Sequence, residues 1–232
     1  MIPKTIHYCW FGQKEKPDSV KKMISTWKTV LKDYEIKEWN EHNFDVGMYA
    51  FTREAYAMGD YAFVSDVCRL KVLYDHGGIY LDTDVEVIGT FDGYLADHSF
   101  CGYEARQYIG TGVIGAEPGS RWICRFLSFY TKRHFINISG HPVRTANTKL
   151  LTTRIMPRIC PEIRPKIYPI DRFSAKNWET GETVTTPYTV CIHHYARSWA
   201  RKKKTVAMRA GVILRGLRTR YFSSFVTSCK SR

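Results

Sequence analysis

Nowhere does the sequence offer an apolar run of the roughly 18–20 residues that crosses a bilayer, and its start, Met1-Ile2-Pro3-Lys4, lacks the apolar stretch of a secretory leader. Those two absences predict a chain that is neither built into a membrane nor exported by a visible signal. There is no Cys-x-x-Cys pair either. The seven cysteines (Cys9, Cys68, Cys101, Cys124, Cys160, Cys191 and Cys229) are odd in number and scattered, so neither a disulfide framework nor a zinc site is indicated. A reducing, cytoplasmic setting follows, with Val67-Cys68 and Val190-Cys191-Ile192 using cysteine as a small core hydrophobe. Repeats and low-complexity linkers are lacking as well. With 44% hydrophobic and 25% charged residues over 232 positions, the composition is that of one globular domain plus an appendage.

Acidic residues are missing altogether after Glu182. The formal charge is +13, yet ten Lys or Arg fall between Arg201 and Arg232 with no Asp or Glu among them. Residues 1–200 carry the other 25 basic and all 22 acidic side chains, a nearly balanced body. The chain therefore divides into a domain over 1–200 and a basic tail over 201–232. In the tail, Val206, Ala210, Ile213, Leu214, Leu217 and Tyr221 fall on one stripe at helical period, with Lys204, Arg215 and Arg218 over much of the rest. Such a helix suits an anionic membrane surface; docking on its own domain is the other reading. A polyanion such as nucleic acid would also be drawn to this charge, and a basic binding module without catalysis is the alternative function. That alternative leaves the carboxylates described below unexplained, and no nucleic-acid motif is present.

What is there is an alternation of strands and helices. Ile6 to Phe11 is an aromatic strand closed by Gly12, and Asp18 to about Leu31 places Val20, Met23, Ile24, Trp27 and Leu31 at helical spacing. Tyr34 to Trp39 alternates as a second strand. Asp60 to His76 reads as a helix stopped by Gly77-Gly78, followed by a buried strand from Ile79 to Asp82. Val113 to Ala116 is a short apolar piece, followed by a helix through Trp122, Phe126 and Phe129-Tyr130. Pro157 to Pro169 reads as irregular, and Tyr188 to Tyr195 as a final strand. Strands separated by helices predict an α/β domain with a largely parallel sheet, in which ligands bind beyond the carboxyl ends of the strands.

Asp82 and Asp84 stand at such an end. Two apart in an extended backbone, their carboxylates project to one side, and two hard oxygen ligands suit Mg²⁺ or Mn²⁺ with positions left open for phosphate oxygens. Asp66 lies upstream with Arg69 three positions later on the same helical face. If that helix packs beside the strand, Arg69 meets a phosphate or sugar and Asp66 accepts sugar hydroxyls. Near the far end, Val190-Cys191-Ile192-His193-His194-Tyr195 supplies two adjacent histidines that alternate sides, so one of them at most faces a given metal.

The stretch from Tyr61 through Ser65-Asp66-Val67-Cys68-Arg69 to Gly77-Gly78-Ile79-Tyr80-Leu81-Asp82-Thr83-Asp84 resembles the signature of the DXD-containing sugar transferases of glycosyltransferase family thirty-two. This family includes yeast α-mannosyltransferases and bacterial capsule-synthesis enzymes, and the clostridial glucosylating toxins carry a related signature. The opening, Ile2 to Gly12, is similar to that family's first strand, and His193 to Ser198-Trp199 is similar to its H-x-x-x-x-S-W ending. The likeness spans about residues 1–200.

The resemblance implies a GT-A, Rossmann-like single domain, a UDP-sugar donor, Mn²⁺ or Mg²⁺, and retention of anomeric configuration. It implies that Asp84 ligates the metal, with Asp82 on the ribose, the sugar or the metal, and His193 in preference to His194 as the further ligand. Asp66 and Arg69 would hold the donor sugar, Trp10 would stack on the base, Tyr80 would face the nucleoside, and Ser198 and Trp199 would contact the pyrophosphate. Asp66 and Glu104 are the carboxylates available to a double displacement. Galactose from UDP-galactose is the expected donor group. The expected acceptor is an oligosaccharide or an undecaprenyl-diphosphate-linked sugar at the inner face of the cell membrane. Two stretches depart from the family pattern: Ile109-Gly110-Thr111-Gly112-Val113, where relatives carry an Asn, and Gly140-His141-Pro142 in place of Gly-Pro.

Overall fold

A computed structural model describes residues 1–105 and 107–196. The tail proposed over 201–232, with Ser198 and Trp199, lies outside the described residues. In chain order the elements are β1 (Thr5–Cys9), α1 (Asp18–Val30), β2 (Glu35–Trp39), α2 (Ala50–Ala57), α3 (Tyr61–His76), β3 (Gly78–Leu81) and β4 (Val85–Val87). They continue with β5 (Ser99–Ala105), β6 (Tyr108–Ala116), α4 (Arg121–Ser128), α5 (Asn147–Leu150), β7 (Lys166–Tyr168), α6 (Ile170–Phe173) and β8 (Cys191–His193).

Six strands form one sheet in the order β2-β1-β3-β6-β5-β7, and only β6 runs against the other five. The largely parallel sheet is thus present. Side chains alternate across it as a pleated sheet requires: Ile6, Tyr8, Ile79 and Leu81 enter one core with α1, while Cys9 and Tyr80 enter the other with α2, α3 and α4. Helix α1 buries Val20, Ile24 and Trp27 at helical spacing. Helix α3 is buried nearly all round, with Asp66 and Arg69 inside it alongside Val67, Leu70 and Leu73. A helix sealed on several sides carries its polar groups only where partners meet them.

Several predicted boundaries move. The first strand ends at Cys9, two residues short of Phe11. The apolar piece at Val113 is the end of the nine-residue strand β6, whose glycines disguise its first half. The last strand is shorter than Tyr188–Tyr195, running only Cys191–His193, and Pro157 to Pro169 contains β7. Helix α2 and strand β5 went unread. Four of the described cysteines are buried, whereas Cys124 and Cys160 are exposed. No helix among the described residues is long and apolar enough to cross a membrane.

The turn from α3 into β3 sets the height at which the acidic motif emerges. Gly77 and Gly78 both have positive φ, 65° and 95°, and a side chain on Gly78 would lie 2.6 Å from the Thr5 carbonyl oxygen. His7 locks this turn from β1. The Trp39 indole donates to its Nδ1 at 3.0 Å, so Nε2 carries the proton and donates to the Gly77 carbonyl at 2.9 Å. Burial, with the nearby His76 and Lys37, holds the His7 pKa down to about 4 against an ordinary 6.5. The folded protein keeps His7 neutral where the unfolded chain protonates it, so its stabilising contribution is present above pH 6.5 and is lost as the pH falls toward 4. In denaturant titrations, the stability advantage of wild type over His7→Gln should shrink over that window by up to about 1.4 kcal/mol per pH unit. A constant difference across the window would refute the locked tautomer.

Candidate active site

Asp82 leaves the end of β3, its N–H still bonded to the Gly112 carbonyl at 2.8 Å. The chain then turns, with the Val85 N–H reaching back to the Asp82 carbonyl at 3.0 Å. Asp82-Thr83-Asp84 is therefore a turn, not the extended dipeptide that the spacing alone suggests. What brings the carboxylates together is the small second sheet. Strands β4 and β8 pair antiparallel with Val85 opposite His193, which sets His193 beside Asp84. Helix α1 anchors this ribbon: the buried Trp27 indole donates to the Val85 carbonyl at 2.8 Å, and the Thr26 hydroxyl accepts from the Val87 N–H at 3.1 Å.

Asp82, Asp84 and His193 each offer one ligand atom, and the three lie within 4.8 Å of one another. His193 Nε2 is 3.2 Å from Asp84 Oδ1. His194 turns the other way, onto Glu86 at 2.7 Å. Burial pushes the Asp84 carboxyl up, but the hydrogen bond and charge of His193 and the Ala196 N–H outweigh it and hold Asp84 below its usual range. Burial would lower the His193 imidazole; Asp84, Asp82 and Glu104 raise it instead. The segment after β8 wraps this corner. The Ala196 N–H donates to Asp84 Oδ2 at 2.8 Å, and the Tyr195 ring lies 4.1 Å from that of His193. Tyr195 takes a left-handed φ of 53° to do so, a conformation costly for a residue with a large side chain.

Behind this corner sits Arg69, 4% exposed. Its guanidinium is 3.0 Å from Asp66 Oδ1 and 3.2 Å from Asp82 Oδ1, and it donates to the Thr111 carbonyl at 2.6 Å. The Tyr80 hydroxyl donates to Asp82 Oδ1 at 2.9 Å, and its ring lies under the guanidinium at 4.5 Å. Arg69, expected on a phosphate or the donor sugar, and Tyr80, expected to face the nucleoside, both lie inside and contact Asp82. The reason is the burial of the face of α3 that carries Arg69, which leaves an arginine no solvent and makes it seek every acceptor nearby. Asp66 is also buried. Desolvation pushes its carboxyl up to about 7 against the opposing pull of Arg69. Trp10 lies half-buried, its indole donating to the Lys14 carbonyl at 2.6 Å, on a groove of about 560 Å³ shared with Lys16, Glu38, Asn40 and Glu41.

Three contributors escaped the sequence reading. Asn147 opens α5, donates to the Asp66 carbonyl at 3.3 Å and accepts from the Tyr130 hydroxyl at 2.7 Å. Thr148 follows it and favours the ionised Glu104 carboxyl, though burial outweighs this and raises it. Gly112 is the third, and its signal was visible: glycines alternating within a strand mark a close approach of something else. A Cβ there would sit 3.0 Å from His193 Cε1 and 3.1 Å from Asp82 Oδ2.

Two carboxylates and one imidazole suit Mn²⁺ or Mg²⁺, and the bare backbone at Gly112 leaves the room that such an ion needs. Gly112→Ala should therefore weaken Mn²⁺ binding about tenfold, the scale of a disturbed supporting shell, while the metal-free melting temperature stays within a few degrees of wild type. Mn²⁺ paramagnetic resonance titration measures the first and calorimetry the second. Undiminished Mn²⁺ affinity would place the ion elsewhere.

Residues 17–101 match the family of glycosyltransferase sugar-binding regions containing a DXD motif. No curated protein matches the chain in sequence. In structure it is similar to a glycosyltransferase involved in glycosylation of the major capsid of PBCV-1, with 13% identity, a TM-score of 0.50, and 91% of this chain and 98% of that one covered. It is also similar to the galactosyltransferase LgtC in complex with donor and acceptor sugar analogs, at 12% identity and a TM-score of 0.46 over 90% of this chain and 95% of that one. The PaToxG glycosyltransferase shares 20% identity at a TM-score of 0.44, over 55% of this chain and 59% of that one. The first of these shows the fold, a GT-A arrangement of sheet and helices. The sequence match takes in Asp66, Arg69, Asp82 and Asp84 together, so residues 17–101 are similar to a glycosyltransferase sugar-binding region.

Proposed function

We propose that the chain transfers a hexose, with retention, from a nucleotide diphosphate sugar to a hydroxyl of a carbohydrate or lipid-linked acceptor in surface polysaccharide synthesis. The observation that carries this reading is the convergence of Asp82, Asp84 and His193 within 4.8 Å, beside a buried arginine. A divalent ion held by those three would supply Lewis-acid neutralisation of the leaving diphosphate. The protein's own groups do the rest. Arg69 and Tyr80 act on the donor through Asp82, which they hold in one orientation. Asp66, steadied by Asn147, offers its carboxyl to hydroxyls of the donor sugar. Trp10 presents its indole face at the rim groove for the base, and Ser198 and Trp199 are assigned to the pyrophosphate by resemblance alone.

Retention through a double displacement needs an ionised carboxylate at the anomeric carbon. Burial raises both carboxyls available for it, Asp66 to about 7 and Glu104 upward from its ordinary range, which lowers the fraction ready to attack. We therefore favour a front-face route, in which the leaving phosphate takes the acceptor proton as the new glycosidic bond forms. The donor we assign is UDP-galactose and the acceptor an undecaprenyl-diphosphate-linked sugar, both following the family resemblance. The basic tail would hold the enzyme at the inner face of the cell membrane.

With a panel of UDP- and GDP-sugars and Mn²⁺, wild type should release UDP slowly from one sugar. EDTA should abolish the release, and Asp84→Ala should lower it by at least about a hundredfold, a scale typical for loss of one stabilising contact to developing charge. Binding of no nucleotide sugar in any metal would remove the transferase reading and leave the basic binding module.

A further inference from the structure

The charge of the domain is balanced only in sum. Residues 1–120 carry 12 basic and 18 acidic side chains, whereas residues 121–166 carry ten basic ones and a single acidic one, Glu162. In that second stretch Arg144 pairs with Asp60 and Lys166 with Asp97. The other eight have no carboxylate within 4.0 Å among the described residues. Arg121, Arg125, Lys149, Arg154 and Arg158 are among those that stand exposed. They sit on α4, α5 and the turns that follow, which pack on the α3 side of the sheet; α1 packs on the opposite side.

A second feature belongs to the same stretch. Ile138 is 97% exposed at the tip of a tight turn closed by the Asn137 N–H to His141 carbonyl bond at 2.9 Å. The turn is rooted in the domain on both sides. Glu54 accepts from the Ile136 N–H at 2.9 Å and contacts His134 Nδ1 at 2.6 Å, and Asp60 holds Arg144 at 2.7 Å. The domain thus holds an isoleucine side chain almost wholly in water, in the same stretch of chain that carries the unpaired cations.

We propose that this arginine-rich stretch, together with the exposed Ile138, docks on an anionic phospholipid bilayer. Cations at the headgroup level with an apolar side chain reaching past them are what a bilayer interface rewards. A single-stranded nucleic acid would ask instead for exposed aromatic rings on which to stack bases. No Phe, Tyr or Trp of residues 121–166 is exposed: Trp122, Phe126, Tyr130 and Phe135 are buried and Phe129 is half-buried. Arg121, Arg125, Arg154 and Ile138 share no position with residues 201–232 or with the groups assigned to sugar chemistry, so their test needs lipid alone.

The full chain should cosediment with phosphatidylglycerol-containing vesicles and not with purely zwitterionic ones, and binding should weaken with salt. Reversal of Arg121, Arg125 and Arg154 together to Glu should lower the affinity by about a hundredfold, each cation near an anionic surface being worth about fivefold. Ile138→Ser should lower it severalfold without changing the salt dependence. Lys22, Lys28 and Lys32, exposed on or just after α1, provide the control: their joint reversal to Glu changes the net charge equally and should cost far less. Matched circular dichroism melts separate docking from misfolding. The proposal is overturned if wild type ignores anionic vesicles, if both triple variants weaken binding equally, or if the arginine triple leaves vesicle binding intact. Tighter binding of single-stranded RNA than of vesicles, lost in the same triple variant, would overturn it too.

Discussion

Carboxylates crowded at one rim repel each other, and the architecture of this domain answers that repulsion. Asp66, Asp82 and Asp84 come from α3 and the turn after β3, with Glu104 from β5 repelled by Asp82. Two side chains meet them from fixed positions. Arg69 lies beneath Asp66 and Asp82, and His193 lies against Asp84. Stripped of either partner, a half-buried carboxylate would take up a proton or drive the turn apart, because isolated charge is expensive away from water. The arrangement holds the negative charge dense yet tolerable, which is the state a divalent ion and a diphosphate together can use.

Rigidity for that balance comes from outside the acidic cluster. The His7–Trp39 pair fixes the turn where β3 begins, and Trp27 fixes the ribbon where β4 and β8 meet. Each is a buried polar tip of a ring spent on a backbone carbonyl or a neighbouring ring, so ring packing and hydrogen bonding both specify the position. The bare backbone at Gly112 does the opposite work: it withholds a side chain where the three ligands approach.

The elements most legible in the sequence were those whose signal is local. Helix α1 showed its apolar spacing, α3 its length and glycine stop, and β2 its alternation, and all three stand close to where the spacing puts them. Strand β6 was half-read because glycines erase hydrophobic alternation, and α2 because Ala50–Ala57 is too short to establish a period. Within the site, residue types and chain order marked Asp66, Arg69, Asp82, Asp84 and His193. Asn147 and Thr148 carry no local mark at all, since their roles arise from α5 folding back on α3 and β5.

Residue order and spacing alone brought out the side chains proposed to carry the chemistry, since an ordered pattern of Asp, Arg and glycine around one strand is a local property of the chain. They also settled that strands and helices alternate. Tertiary structure decided which way those side chains face. It turned Arg69 and Tyr80 inward onto Asp82, because α3 is enclosed and a buried guanidinium must satisfy its donors within the protein. It chose His193 over His194 through the register of β8 on β4, because adjacent residues of a strand point to opposite faces and only pairing fixes which face meets Asp84.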